Sequence, residues 1–379
     1  MGKFLIQGSS NIKTEICKEV KKIGKKKVLF FLPSNTGGAE RMTITLGKML
    51  PHDQFEVKFV IVHRSLGTIA KFIPPEYEVI HIPIHNVWCA ATLRMIRILR
   101  RERPDVVFSS LHYLNARLII AAKICHVNVI IRSNIGLNDQ WTLISKLLVK
   151  CTYRWADKVI AQQEEMRAEL IQFAGLKPDK VITLHNPLDV DSIHQKANVS
   201  SPYIHAEGQV KYVCVGRFSN EKGQDLVVRA FQMVLKSIPN AHLYLVGKYN
   251  WSLNYDAGIK EYVNSHHLSP YIHFVGFDEN PYRWVKYADC YVMPSRLEGL
   301  PNALIEAMYL KRPVVATKCI PIICRIVDDG KNGYLAETEN VESIAECMKK
   351  APYLQNVQMS YRPASAENVV RLFSTIGNN

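Results

Sequence analysis

Cys290-Tyr-Val-Met-Pro-Ser-Arg-Leu-Glu-Gly-Leu-Pro-Asn-Ala-Leu-Ile-Glu-Ala-Met308 holds the decisive pattern of this chain. Cys290–Met293 is a short apolar run of the kind buried within a parallel sheet. A loop carrying Glu298 and Gly299 follows, and Pro301 is suited to open a helix. The helix predicted over Asn302–Leu310 carries Glu306, eight residues after Glu298. Strand, loop and helix in this order form half of a βαβ unit, with the loop at the strand's carboxyl end, where such sheets bind ligands.

The same unit repeats outward in both directions. Toward the amino end, strands are predicted at Lys211–Val215, His242–Val246 and Ile272–Val275, with helices at Gln224–Ser237, Gly258–His266 and Pro281–Tyr287. Toward the carboxyl end, Val314–Ala316 and Gly333–Leu335 read as strands and Val341–Lys350 as a helix. A separate run occupies the first half, from Val28–Leu32 to Val181–Leu184. His185-Asn-Pro-Leu-Asp189 and a polar stretch to Gly208 interrupt the alternation. The expected organisation is α/β, with two doubly wound Rossmann-like domains facing across a cleft. Their limits are 1–186 (with a basic lead-in over 1–27) and 209–352, joined by a linker over 187–208. The tail over 353–379 has a helical pattern around Ala364–Phe373 and reads as a helix returning to the first domain.

Composition narrows the function. The chain has 379 residues, 47% apolar and 22% charged, which excludes wholesale disorder and fibrous repeats. Its net charge of +14 is uneven: residues 1–186 carry 28 basic and 15 acidic side chains, residues 187–379 carry 20 and 19. An anionic partner is expected at the first domain, either a phospholipid surface, a phosphorylated substrate or nucleic acid. The nine Cys have no zinc-ligand spacing and read as reduced thiols of a cytosolic protein. No run has the ~18 apolar residues of a spanning helix. Leu118–Ile131 is broken by Lys123 and His126, so membrane contact is expected to be peripheral.

Two further loops could carry chemistry. Pro33-Ser-Asn-Thr-Gly-Gly-Ala-Glu-Arg41 joins a buried strand to a helix. Paired glycines let backbone approach a ligand, and a helix amino end favours anions; a plain tight turn would read the same way. In Val215-Gly-Arg-Phe-Ser-Asn-Glu-Lys-Gly223, Arg217 and Lys222 place two cations on one loop, which suits a diphosphate. Near Leu300 to Ala303, helix-start amides could meet phosphate oxygens. Asp189-Val-Asp191 has metal-binding spacing but falls in the linker and reads as turn chemistry.

Together these segments resemble the retaining glycosyltransferases of family 4, which have the GT-B fold. The resemblance covers roughly residues 27–350. It rests on the Glu-x7-Glu pair Glu298/Glu306, the Gly-Arg-Phe…Glu-Lys-Gly loop, Gly-Gly-Ala-Glu-Arg, Asn186-Pro187-Leu188-Asp189 and Asp329-Gly330-Lys331-Asn332-Gly333, all in order. It implies that Arg217 and Lys222 hold the donor diphosphate, Glu306 the ribose and Glu298 the donor sugar. Gly37 and Gly38 would lie against the phosphates and sugar. His112 would contact the donor sugar near the reacting carbon, although a lone histidine reads more often as structural. The strand end Phe274-Val275 would meet the base through its backbone, and Gly299, Leu300, Asn302 and Ala303 would line the donor. Lys318-Cys-Ile-Pro-Ile-Ile-Cys-Arg325 departs from the glycine-rich stretch of many relatives, and Tyr309-Leu-Lys-Arg312 from their usual small-residue turn.

The resemblance implies transfer of a hexose or N-acetylhexosamine from a nucleotide sugar, UDP by family frequency, with no cofactor and no metal. The departing diphosphate's charge would be met by Arg217, Lys222 and helix amino ends. Arg94, Arg97, Arg100 and Arg101 cluster on one predicted helix, and Lys18 to Lys27 form a second cluster. These suggest a cytoplasmic enzyme held peripherally at the anionic inner leaflet, with a polyprenyl-diphosphate-linked or oligosaccharide acceptor, as in capsule, O-antigen or exopolysaccharide assembly. No nucleic acid partner is expected. The alternatives are a basic membrane- or nucleic-acid-binding protein on a degenerate frame, and a GT-B sugar-nucleotide epimerase.

Overall fold

A computed structural model describes residues 24–34, 37–84, 88–134, 143–204, 206–249 and 255–377, with backbone alone at 88–89 and 143–145. Lys18, Lys21 and Lys22 of the lead-in, and Asn35 and Thr36 of the first loop, lie outside the described residues.

The first half alternates β1 (Lys26–Leu32), α1 (Gly38–Lys48), β2 (Phe55–Val62), β3 (Glu78–Ile82), α2 (Trp88–Glu102), β4 (Val106–Ser109), α3 (His112–Cys125), β5 (Asn128–Arg132), α4 (Leu143–Thr152), β6 (Lys158–Ala161), α5 (Glu164–Ala174) and β7 (Val181–Thr183). The second half runs α6 (Val190–Ala197), β8 (Val210–Val215), α7 (Gln224–Leu235), β9 (Ala241–Val246), α8 (Tyr255–Ser265), β10 (Ile272–Gly276), α9 (Pro281–Lys286), β11 (Cys290–Met293), α10 (Asn302–Tyr309), β12 (Val314–Thr317), α11 (Pro321–Ile326), β13 (Gly333–Ala336) and α12 (Val341–Lys350). A last helix, α13 (Ala366–Thr375), ends the chain.

The strands form a seven-stranded sheet, β3-β2-β1-β4-β5-β6-β7, and a six-stranded sheet, β10-β9-β8-β11-β12-β13. The ladders of both sheets are parallel. In each sheet the order turns back beside the first strand, so helices cover both faces, as the strand–helix alternation predicts.

β1 shows why. Its residues Val28 to Leu32 are all buried. Leu29 and Phe31 enter a core with Met95, Leu99, Leu118, Val149 and Leu170. Val28, Phe30 and Leu32 point the other way, into a core with Ile44, Leu46 and Phe373. Period-two alternation with both faces apolar leaves this strand no solvent side.

Two compact units result, Met1–Pro187 with Ala364–Asn379, and Leu188–Pro363. Two features were not visible in the sequence. Within 187–208, α6 is capped by Asp189, whose side chain accepts from Ser192 N at 3.2 Å, and its Ile193 and Ala197 pack into the second unit. The Lys318–Arg325 stretch contains the short helix α11. The tail helix α13 belongs to the first unit: Phe373 is fully buried, 5.5 Å from the Phe30 ring, and Lys26 Nζ donates to the Ser374 and Ile376 carbonyls at the helix's end. Lys26 and Lys27 therefore do not extend an exposed basic patch. Lys27 pairs with Glu102 and Glu56, both at 3.3 Å.

Candidate active site

The described site is built at the carboxyl end of the second sheet, from the loops after β8, β10 and β11. The β8 loop turns at Gly216 and Arg217, forms a tight turn over Asn220–Lys222, and enters α7 through Gly223. Two glycines permit this crowding. A Cβ on Gly223 (φ +67°) would stand 2.1 Å from the Pro294 carbonyl oxygen, and one on Gly247 would stand 1.8 Å from that of Gly216. Backbone cannot yield at such distances, so both positions require glycine.

This close approach brings Lys222 to Glu298, although 76 residues separate them. Lys222 Nζ donates to Oε1 at 2.7 Å and to Oε2 at 2.8 Å. Ser295 Oγ donates to the same Oε1 at 2.7 Å, and Thr317 Oγ1 donates to the Ser295 carbonyl at 2.5 Å. The Glu298 side chain is 8% exposed and that of Lys222 34%, so the pair lies at the mouth of the site with its cation outward. Arg217, on the same loop as Lys222, is exposed.

One helix turn further, Glu306 on α10 accepts from the Tyr282 hydroxyl at 3.2 Å. Among the amides expected to greet a phosphate, that of Asn302 donates to the Leu300 carbonyl at 2.9 Å. Phe274 packs with Phe218 and Tyr249 under Lys260, whose Nζ lies 4.3 Å from the Tyr249 ring centre. The β10 ladder shifts register between Phe274 and Gly276, which ends regular pairing at Val275. Exposed Phe277 follows. Burial raises Cys319, which adjoins Glu298, to about 11, so it is a neutral thiol.

Arg217, Lys222, Phe274, Val275, Glu298, Gly299, Leu300, Asn302, Ala303 and Glu306 therefore all belong to the second unit. Gly37, Gly38 and His112 belong to the first. Gly37 is the extended residue before α1, and its carbonyl accepts from Arg41 N at 3.1 Å. His112 opens α3, and partial burial holds its imidazole below the ordinary pKa, which favours the neutral form. Among the described residues, no group of three His, Cys, Asp or Glu side chains is placed to hold a metal.

Sequence reasoning missed Arg296, Asp225, Ser295, Thr317 and Tyr282. Arg296 lies inside the decisive stretch, but its partners Asp225 and Glu339 are 71 and 43 residues away. Only the fold makes them neighbours.

Residues 36–192 match the Glycosyltransferase Family 4 profile and residues 195–365 match that of the group 1 glycosyl transferases. The chain belongs to glycosyltransferase family 4. An uncharacterized glycosyltransferase of Methanocaldococcus jannaschii is 27% identical, the match covering 71% of this chain and 72% of that one. The N-acetylgalactosamine-N,N'-diacetylbacillosaminyl-diphospho-undecaprenol 4-alpha-N-acetylgalactosaminyltransferase of Campylobacter jejuni is 23% identical, covering 85% and 88%. Among solved structures, Anabaena HepE in complex with UDP-glucose superposes with a TM-score of 0.74 at 18% identity, covering 92% and 98%. This family 4 glycosyltransferase thus has the GT-B fold.

Proposed function

We propose that this glycosyltransferase moves a hexose or N-acetylhexosamine from a UDP-sugar to a polyprenyl-diphosphate-linked sugar, with retention and without a metal, in the assembly of a surface polysaccharide. The observation that carries this proposal is the Lys222–Glu298 pair, with Arg217 exposed on the same loop as Lys222. It supplies a cation for the leaving diphosphate and a carboxylate for the sugar within one site. As the sugar–phosphate bond breaks, negative charge grows on the diphosphate, and fixed cations stabilise it. Lys222 must then exchange one anion for another, from Glu298 to phosphate. Glu298 is left to accept hydrogen bonds from sugar hydroxyls, with Ser295 holding its other side. Glu306, oriented by Tyr282, takes the ribose hydroxyls. No side chain of the described second-unit site is set up as an enzyme nucleophile, which favours same-face attack assisted by the leaving phosphate. UDP in the HepE complex and the undecaprenyl-linked substrate in the Campylobacter enzyme's name support the donor and acceptor classes.

A peripheral position at an anionic membrane is part of this proposal. No described helix is long and apolar enough to cross a bilayer. On α2, Arg97, Arg100 and Arg101 are exposed and Arg94 is half-buried. Met95, Ile96 and Leu99 of the same helix lie in the core, whereas Leu93 is 57% exposed. On α4 and the turn after it, Leu147 and Trp155 are 62% and 46% exposed, interleaved with exposed Lys150 and Arg154. Basic side chains contribute on the order of 1 kcal/mol each near an anionic surface.

The test is direct. The purified enzyme is incubated with UDP, GDP and ADP sugars, with and without a polyprenyl-diphosphate disaccharide and with EDTA. UDP release stimulated by the lipid-linked acceptor and unaffected by EDTA is expected. Silence with every donor, or activity lost in EDTA and restored by manganese, contradicts it. Vesicle co-sedimentation checks the membrane component: binding should require anionic lipid and weaken with salt.

A further inference from the structure

Arg296 sits two residues before Glu298, and the transfer chemistry assigns it nothing. Its side chain is only 16% exposed. Nη1 and Nη2 donate to the two Asp225 carboxylate oxygens, each at 2.8 Å. Nη1 also donates to the Asn220 carbonyl at 2.9 Å, and Nε to Glu339 Oε1 at 2.5 Å. The backbone follows: Arg296 N and Leu297 N both donate to the Glu221 carbonyl, at 2.8 and 3.3 Å. Tyr255 donates to Asp225 from α8. Burial alone would raise the Asp225 pKa, but the bonds from Arg296 and Tyr255 outweigh it and keep the carboxyl below its ordinary range.

These contacts have one geometric result. Asn220 and Glu221 immediately precede Lys222, and Asp225 follows it by three residues. Ser295 and Glu298 flank Arg296 on the other loop. The forked guanidinium therefore locks the β8–α7 loop to the β11–α10 loop on both sides of the Lys222–Glu298 contact. A planar two-point fork fixes orientation as well as distance, which an ammonium does not. The flexible stem of Lys222 leaves its charge free to drift once the two loops part.

We propose that Arg296 is a positioning residue for transfer: its two-point bond to Asp225 holds Lys222 at the place where the donor diphosphate meets its cation. The proposal rests on the donor-site assignment above. A brace that served stability alone would also join these loops, so the test must separate the two.

Arg296→Gln, Arg296→Lys and Asp225→Asn are compared with the wild type, each also in a Lys222→Ala background. Turnover of the UDP-sugar should fall roughly 10- to 100-fold in Arg296→Gln, the range expected when a catalytic group is displaced by about 1 Å. UDP affinity should change far less, and Arg296→Lys should recover only part of the loss. In the Lys222→Ala background the same substitutions should have little further effect, because residues acting as a unit are not additive. A second measurement does not use activity: competitive acetylation read by mass spectrometry should show Lys222 becoming several-fold more reactive in Arg296→Gln, with Lys48 as the internal reference. Turnover near that of the wild type, equal fractional losses in both backgrounds, or unchanged Lys222 reactivity each overturns the proposal. If Arg296→Gln fails to fold, Arg296→Lys and Asp225→Asn decide it by the same criteria. A wild type that turns over no donor refutes the donor-site assignment instead, and the acetylation result still decides whether Arg296 places Lys222.

Discussion

The two units share an architecture and differ in what they place at the carboxyl ends of their strands. The second unit gathers ion pairs there: Lys222–Glu298 and Arg296–Asp225. The first gathers neutral hydrogen bonders. Thr43 and Ser110 hydroxyls lie 2.7 Å apart, Gln162 donates to Asn134 at 2.8 Å, and Asn115 donates to the Arg132 carbonyl and the Tyr153 hydroxyl, each at 2.9 Å. Arg132 itself is fully buried and donates to Asn186. The first unit's charge cluster is instead at the opposite end, where Lys58 meets Glu78 at 2.7 Å and Glu102 at 3.1 Å. Burial would raise the Glu102 pKa, but bonds from Lys58, Arg101 and Lys27 take it down to about 2. The same frame thus carries an ion cluster at one end of one unit and, at the other end of its twin, the ion pairs proposed above to serve transfer. A diphosphate needs cations that can change partners, and hydroxyl-rich sugars are met by neutral donors and acceptors.

The largest break in this comparison should come from the first unit's core. Phe373→Ala removes a ring packed on Phe30 and Phe108 and should destabilise that unit by about 3–5 kcal/mol. Chemical denaturation followed by limited proteolysis should show residues 24–187 cleaved first. Simultaneous loss of both units would show that they do not melt separately.

Next come the chemical charges. Arg217→Ala and Lys222→Ala should each lower turnover at least roughly 100-fold, as when one charge-stabilising donor is lost, with melting temperature nearly unchanged. Wild-type kcat/KM in Arg217→Ala would remove that residue from the site. Glu306→Ala should act mainly on donor affinity, raising KM more than it lowers kcat.

The smallest effect is set by pH. His242 and His273 stack with centroids 5.2 Å apart, and their nitrogens approach to 3.0 Å. Burial lowers both pKa values, and His242 lowers that of His273 further. The folded form then binds fewer protons than the unfolded chain, so this contribution is complete above the unfolded value of about 6.5 and is lost as pH falls from there through the lower folded values. The melting temperature of the second unit should decline below that pH more steeply in the wild type than in the His242→Gln/His273→Gln double variant. Parallel curves would dismiss the pair.

Much of this was legible in the chain. Apolar runs such as Val28–Leu32 marked buried strands because both faces of each sheet are covered, and the loops that follow them held Arg217, Lys222 and Glu298, with Glu306 on the next helix. What escaped was long-range. Nothing near Arg296 announces Asp225, and nothing near Lys26 announces carbonyls 348 and 350 residues away. Composition misled where a polar stretch hid a helix: α6 has few apolar residues, yet Ile193 and Ala197 suffice to anchor it. Charge counting misled at Lys26 and Lys27, because a formal charge says nothing of the carbonyls and carboxylates that fold onto it.

The return of α13 has a consequence for synthesis. The first unit leaves the ribosome first, yet the segment that covers Phe30 and Phe108 is made only after the second unit. All of residues 188–363 must be translated in between, which takes on the order of ten to thirty seconds at ~5–20 residues per second. Throughout that interval Phe30 and Phe108 lack the cover of Phe373, a natural site for a holding chaperone. A stop codon before Ala364 would remove that cover for good.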